Sequence, residues 1–249
     1  MGQELTILLT SGCSFSECKS PWIDTWPRQL EQIIKPTAAY HEGVGAQGNG
    51  MISREIIWRA SQLLEHKDQL LVGIMWSGPD RHEVLLPVKK LPKNVDFGAP
   101  VLGEDKFYNP YNWIEGTTAK WLILNKLSNT QISKEFYSNV HNGWLAQILA
   151  IEHILRVQWF LKLHNIRYFM STYTDQVFFD QYCNHPDVKY LYDQIDFDMF
   201  LPVAGEYEWC RDHSGLEFPV KGDRHPSSEQ HKLFAEQVIL PFLKEKQYI

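Results

Sequence analysis

LTILLTSGCSFS, running from Leu5 to Ser16, is the stretch on which the reading of this chain turns. Leu5 to Thr10 is a continuous apolar and β-branched run, the length of a strand buried on both faces. Ser11-Gly12 breaks the run. Cys13-Ser14-Phe15-Ser16 then follow before any helical periodicity begins. A hydroxyl at the tip of such a turn stands where open α/β sheets bind ligands, in the crevice beyond the carboxyl ends of the strands.

Outward from this turn, the chain alternates. Asp24-Thr25 caps a helix that starts at Trp26-Pro27, with Trp26, Leu30, Ile33 and Ile34 on one face, and Lys35-Pro36 ends it. Ala38 to Tyr40 is a second strand. The segment His41 to Gly50, HEGVGAQGNG, carries Gly43, Gly45, Gly48 and Gly50 and reads as a sharply turning loop. No Lys-Ser/Thr follows it, so it matches neither a P-loop nor GxGxxG. From Met51 a helix buries Ile52, Ile56, Ala60, Leu63 and Leu64, and Gln69 to Trp76 is a central strand. Strand, helix, strand, helix, strand predicts a parallel sheet.

The rhythm breaks between Arg81 and Asn139, a stretch rich in Pro, Gly, Asn and aromatics, with a short helix expected near Lys120 to Leu127. A segment this long is either a lid or a decoration with its own small core. Val140 to His164 is the longest helical pattern, with Trp144, Ile148, Ile151, Leu155, Gln158 and Trp159 on one face. Ile166 to Ser171 is the next strand, and Thr172 to Pro219 reads as irregular. Ser227 with Gln230 has the signature of a capping box for a closing helix that ends near Leu243. The expectation is an α/β fold: one domain over 1–249, a flavodoxin-like parallel sheet flanked by helices, with a loop-rich insertion at 80–139.

Composition bounds the function. The chain has 249 residues, 44% hydrophobic and 22% charged, which fits one globular domain. Its net charge is -6, and no Lys/Arg block marks it as a nucleic-acid binder. Cys13, Cys18, Cys183 and Cys210 show no CxxC spacing, so reduced thiols and a cytoplasmic setting are expected. The start lacks a basic n-region, its apolar run is too short for a signal peptide, and no stretch approaches the ~20 apolar residues of a membrane span. The histidines lack zinc spacing such as HExxH, so no metal site is expected.

Chemistry gathers at four separated stretches. Acyl transfer through serine needs a nucleophile, a base, a carboxylate to orient the base and donors for the oxyanion. Ser14, His225 and Asp223 can fill the first three roles, and Gly48 can offer a backbone N–H. Gly12-Cys13-Ser14-Phe15-Ser16 and Asp223-Arg224-His225-Pro226 resemble the first and last blocks of the SGNH (GDSL-type) hydrolase family. The order of the blocks along the chain is also the family's. Cys13 stands where the family most often has Asp, and the last block is one intervening residue shorter than Asp-x-x-His. The third block, usually Gly-x-Asn-Asp, is replaced by Trp76-Ser77-Gly78-Pro79-Asp80, without the oxyanion Asn.

The resemblance implies a serine esterase or acylhydrolase that cleaves an oxygen ester through an acyl-enzyme on Ser14. Its oxyanion donors would be Gly48 first and Gly45 second, with Ser77 or Asn49 in place of the missing Asn. No cofactor is implied. The substrate would be a small-molecule or carbohydrate ester, with Tyr108, Tyr111 and Trp113, and Trp121 beside them, placed to stack on a sugar or else to form a small core. Three alternatives stand beside this reading: a Cys13 thiol as nucleophile, an O-acyltransferase using the same site, and a non-catalytic binding module that kept the fold.

Overall fold

The computed structural model describes residues 7–18, 23–87, 119–124, 126 and 131–249. Strand β1 (Ile7–Ser11) is buried along its whole length. Helix α1 (Trp26–Ile34) starts with Pro27 in its first turn and ends where Lys35 turns left-handed, at φ 49°. Strand β2 (Ala38–His41) leads through the glycine loop into α2 (Asn49–Gln62), and β3 (Leu70–Trp76) follows, wholly buried. Next come a hairpin of β4 (His82–Pro87) and β5 (Ala119–Leu124), then α3 (Gln131–Asn139) and the long α4 (Gly143–Leu163). Strand β6 (Arg167–Thr172) completes the main sheet.

The main sheet is parallel throughout, in the order β2-β1-β3-β6. The order is compatible with a flavodoxin-like single domain. From β1 the chain goes to one side for β2 and returns to the other side for β3. The crevice between β1 and β3 is therefore the point where the winding reverses, and Ser14 follows directly from one of its two strands.

Side chains alternate between two apolar layers. Leu9, Val72 and Met170 face α2 and α4, where Ile52, Ile56, Ile151 and Ile154 meet them. Leu8, Leu71 and Phe169 face the other way, onto Trp26 and Leu30 of α1 and the helices at the end of the chain. The closing helices are α7 (Glu206–His213) and α8 (Ser228–Phe234), which runs through a π turn (Ala235–Ile239) into α9 (Leu240–Glu245), whereas α5 (Asp180–Cys183) and α6 (Pro186–Tyr192) place Cys183 and Val188 in the first layer. Of these, α7, α8 and α9 supply Trp209, Phe234 and Phe242 to the second layer.

Three expectations need correcting. Of the segment expected as a helix near Lys120 to Leu127, Lys120 to Leu124 lie in strand β5, because Glu83 to Leu86 of β4 pairs with it antiparallel. Pairing partners override local helical preference in such a segment, and Leu122 and Leu124 are then buried under Ile132, Phe136 and Tyr137. The segment from Thr172 to Pro219 is not merely irregular. It forms α5, α6 and α7, and α6 begins at Pro186 with the His185 ring accepting from the Asp187 N–H at 3.2 Å. On α4, Trp144 and Trp159 lie 40% and 52% exposed, and the buried stripe is Ala150, Ile151, Ile154, Leu155 and Leu161.

The described part of the 80–139 insertion sits at the carboxyl edge of the sheet. Ile123 of β5 packs on Val44 of the glycine loop, and the Tyr137 hydroxyl donates to the Asp80 carbonyl at 2.6 Å. Trp121 falls in β5. Tyr108, Tyr111 and Trp113 lie outside the described residues.

Gly73 shows how tightly the second layer is built. A Cβ there would lie 2.6 Å from the Phe169 ring and 3.1 Å from the Trp26 ring. Gly73→Ala is expected to destabilise the protein by about 1–3 kcal/mol through overpacking. Urea unfolding checks this: the midpoint should fall, and pairing the change with Phe169→Leu should recover part of the loss.

Candidate active site

The turn after β1 is shaped by close contacts. A Cβ on Gly12 would lie 2.3 Å from Ser16 Oγ, so only glycine lets the chain double back here. The Ser16 N–H then donates to the Cys13 carbonyl at 2.8 Å, closing a short 3-10 turn over Ser14–Ser16. The Trp26 indole N–H donates to Ser16 Oγ at 2.9 Å and ties the turn to α1. Cys13 is directed into the core and Phe15 is buried, which leaves Ser14 half-buried at the tip. The Cys13 thiol is thus fully enclosed, and the serine is the residue turned toward His225.

Ser14, His225 and Asp223 meet. His225 Nε2 is 2.8 Å from Ser14 Oγ, and His225 Nδ1 is 2.6 Å from Asp223 Oδ1. The carboxylate accepts a hydrogen bond from Nδ1–H and so keeps the proton on that nitrogen, which leaves Nε2 to accept from the serine hydroxyl. The His225 backbone N–H also donates to Asp223 Oδ1, at 3.1 Å. The two-residue spacing therefore suffices, because one carboxylate oxygen holds both the ring and the backbone of the histidine. Partial burial works to raise the Asp223 carboxyl, but the hydrogen bonds from His225 outweigh it, and its pKa is lowered.

The loop that carries this pair is fixed at its far end. Pro226 is buried, and the Ser227–Gln230 capping box expected from the sequence is formed at the start of α8. The side chains of His225 and Asp223 remain 43% and 44% exposed, so a solute reaches them directly.

A second histidine–carboxylate pair lies beneath the first. Phe15 packs against the His225 ring at 5.1 Å, the Tyr173 ring at 5.4 Å and the His231 ring at 6.4 Å. His231 Nδ1 in turn meets Glu206 Oε1 at 2.7 Å, with both side chains buried. This pair joins α7 to α8, the helices on either side of the loop holding Asp223 and His225. Burial pushes the Glu206 carboxyl up, opposed by His231, and among the described residues its other oxygen has no partner. Sequence reasoning missed this pair, and nothing in the spacing of residues 206 and 231 could have signalled it.

The expected oxyanion donors fare differently. The Gly48 N–H donates to Glu83 Oε1 at 2.6 Å, so it is engaged by a buried carboxylate. The Asn49 amide is spent on Ser77: it donates to the Ser77 carbonyl at 2.9 Å and accepts from the Ser77 N–H at 2.7 Å. The Gly48 N–H is thereby committed to Glu83, and Asn49, with one of its two amide N–H groups used, fixes the end of β3. Ser77 Oγ accepts from Arg81 Nη1 at 2.9 Å and keeps its own proton to donate. Gly45 lies in the loop fastened beside the serine turn, where the Val44 N–H and Gln47 Nε2 both donate to the Gly12 carbonyl, at 3.2 and 2.8 Å.

Tyr173, just past β6, separates the serine turn from a cavity of about 530 Å³ lined by Asp80, His141, Gly143, Gln176, Phe179 and Tyr182. Arg81, another residue that sequence reasoning left without a role, sets its guanidinium 5.2 Å over the Tyr173 ring. Among the described residues no cluster of His, Cys, Asp and Glu has the makings of a metal site. No helix there is long and apolar enough to cross a membrane. Comparison with protein-family models, with curated proteins and with solved structures finds no match in any of the three.

Three histidines near this edge carry a pH signature. Burial first, and His141 next, lower the His82 pKa from 6.5 to about 4. Burial, with Arg156 and Arg54, lowers that of His153 from 6.5 to about 3. His141 is lowered as well, by burial and Lys126. A histidine lowered in the folded state contributes its stability above its unfolded pKa, because below it the unfolded chain takes up protons that the folded chain refuses. Stability should therefore be complete above pH 6.5 and fall as the pH drops toward 4. Urea midpoints across that range check this: a His82→Gln/His153→Gln variant should show a flatter decline than the parent.

Proposed function

We propose that the chain is a serine ester hydrolase of the SGNH type. The observation that carries the reading is the continuous line Ser14 Oγ–His225 Nε2 at 2.8 Å and His225 Nδ1–Asp223 at 2.6 Å, at the point where the sheet winding reverses. Ser14 Oγ attacks the ester carbonyl carbon as its proton passes to His225 Nε2. The tetrahedral intermediate collapses, the alcohol leaves with the proton from His225, and Ser14 is left acylated. Water, deprotonated by the same imidazole, then releases the acid and restores the serine. No step needs a cofactor.

The oxyanion is assigned to the Ser14 N–H, with Gly45 as the second donor. Ser14 opens the 3-10 turn, where backbone N–H groups have no partner within the turn. Ser77 remains a side-chain alternative through its free proton. The cavity beyond Tyr173 combines aromatic rings with the amide of Gln176 and the carboxyl of Asp80, groups that suit a small polar alcohol such as a sugar. The four cysteines are free and buried, which suits a cytoplasmic setting. Transfer of the acyl group to a sugar hydroxyl would use the same residues. The engagement of Gly48 and Asn49 favours one further reading, a binding module without turnover.

A fluorophosphonate probe separates these readings. It is expected to label Ser14, and Ser14→Ala and His225→Ala should each lower turnover of short p-nitrophenyl esters by roughly a thousandfold or more. The thermal melt of Ser14→Ala should stay close to the parent, because Ser14 is half-buried and packs little. Full turnover in Ser14→Ala would remove the hydrolase assignment. An unlabelled protein with no turnover would favour the binding module.

A further inference from the structure

A second pocket, of about 210 Å³, opens on the other side of Pro79, between the start of α2, the start of β4 and α4. Its charged lining is Arg54, Arg81 and Glu83, with His82 and His153 beside them. Glu83 is matched: it pairs with Arg54 at 3.2 Å and accepts the Gly48 N–H. Two guanidiniums against one carboxylate leave one positive charge in the lining. Burial pushes the Glu83 carboxyl up, and a proton on it would only add to that excess.

The surplus charge belongs to Arg81. Among the described residues it forms no direct salt bridge: it donates to the neutral hydroxyl of Ser77 at 2.9 Å and to Cys13, with the Asp80 carboxylate near enough to be felt but not paired with it. It lies over Tyr173 and against the thiol of Cys13, the residue immediately before Ser14. The imidazoles add donors. His153 Nδ1 meets Arg156 Nη2 at 3.3 Å, an arginine donor, so the imidazole proton sits on Nε2, which faces Gly50 in the pocket wall. A partly buried guanidinium that no carboxylate pairs directly, joined by further donors and reaching the residue next to a nucleophile, is poised for an oxyanion group.

We propose that this pocket binds an anionic group on the ester, so that the preferred substrates carry a carboxylate, sulfate or phosphate near the scissile bond. The inference rests on the hydrolase reading given above and specifies its substrate class. Arg81 supplies the charge, and Arg54, held by Glu83, and His153 complete the donor set. Burial first, then Arg156 and Arg54, depress the His153 pKa, so of the two imidazoles His153 is the one that registers a guanidinium of the lining.

The full chain is tested with two esters of equal chain length, 4-nitrophenyl hexanoate and mono-4-nitrophenyl adipate. The adipate ester should be hydrolysed with a kcat/KM at least roughly tenfold above that of the hexanoate, mainly through KM. Arg81→Gln should bring the ratio close to one, and so should about 0.5 M NaCl with the parent protein, a condition that does not depend on the variant folding. A separate binding arm uses Ser14→Ala with adipate and with inorganic phosphate, followed through the His153 imidazole signals by NMR. Saturable binding of either anion that Arg81→Gln weakens supports the pocket. Phosphate alone would point to a phosphate ester, and adipate alone to a carboxylate. Hydrolysis of both esters at similar rates, with Ser14 labelled, overturns this inference and leaves the hydrolase reading standing. Failure to hydrolyse either ester overturns both, and absence of saturable anion binding overturns the pocket whatever the kinetics.

Discussion

The arrangement of this molecule depends on the absence of one methyl group. At Gly12 a Cβ would occupy the space taken by Ser16 Oγ, the same oxygen that accepts the Trp26 indole N–H. The chain can therefore leave β1, double back within five residues and present Ser14 outward while Cys13 and Phe15 turn in. Gly73 leaves room on the sheet for the Phe169 and Trp26 rings. A turn, a helix and a strand are thus fitted to one another by two glycines, and the position of the serine follows from that fit.

The rest of the site is supported in layers. His225 is held by Asp223 through both its ring and its backbone. Phe15 is the floor on which that ring lies, and it borders the His231 ring, whose other side is tied to Glu206. Removing one member of a buried hydrogen-bonded pair costs about 1–3 kcal/mol, because the other is left without a partner. The Glu206–His231 contact therefore holds α7 and α8 in one relative position, and with them the loop between. Ser14, His225 and Asp223 are partly open to water, whereas Phe15, His231 and Glu206 beneath them are dry.

Much of this was legible in the sequence for a physical reason: buried parallel strands are continuous apolar runs, and three of the four in the main sheet stand out as such. The fourth, Ala38–His41, is short and half-buried throughout, and its apolar signal is correspondingly weak. Ser14, Asp223 and His225 could be named because each follows a strand or precedes a capped helix, positions that local spacing reveals. The oxyanion donors could not be assigned that way. Whether the Gly48 N–H is available depends on Glu83, thirty-five residues away, and on the fold that brings them together. Strand β5 was misread because its partner β4 lies across a long insertion, and an isolated apolar segment does not declare its pairing. Arg81 was passed over since a lone arginine after a strand has no local pattern at all.

The contact between Ser14 and His225 joins residues 211 positions apart. One belongs to the first strand and the other precedes the last helical stretch, so nearly the whole chain must be in place before they touch. Loop closure over such a distance brings no return until the intervening layers have formed. During synthesis Ser14 emerges before His225 and stays without that contact until the loop ahead of α8 has docked. Partly folded chains thus contain the serine but not its contact with the histidine. Any chemistry that needs both residues is delayed until folding is finished, and its onset is a built-in record of the last step.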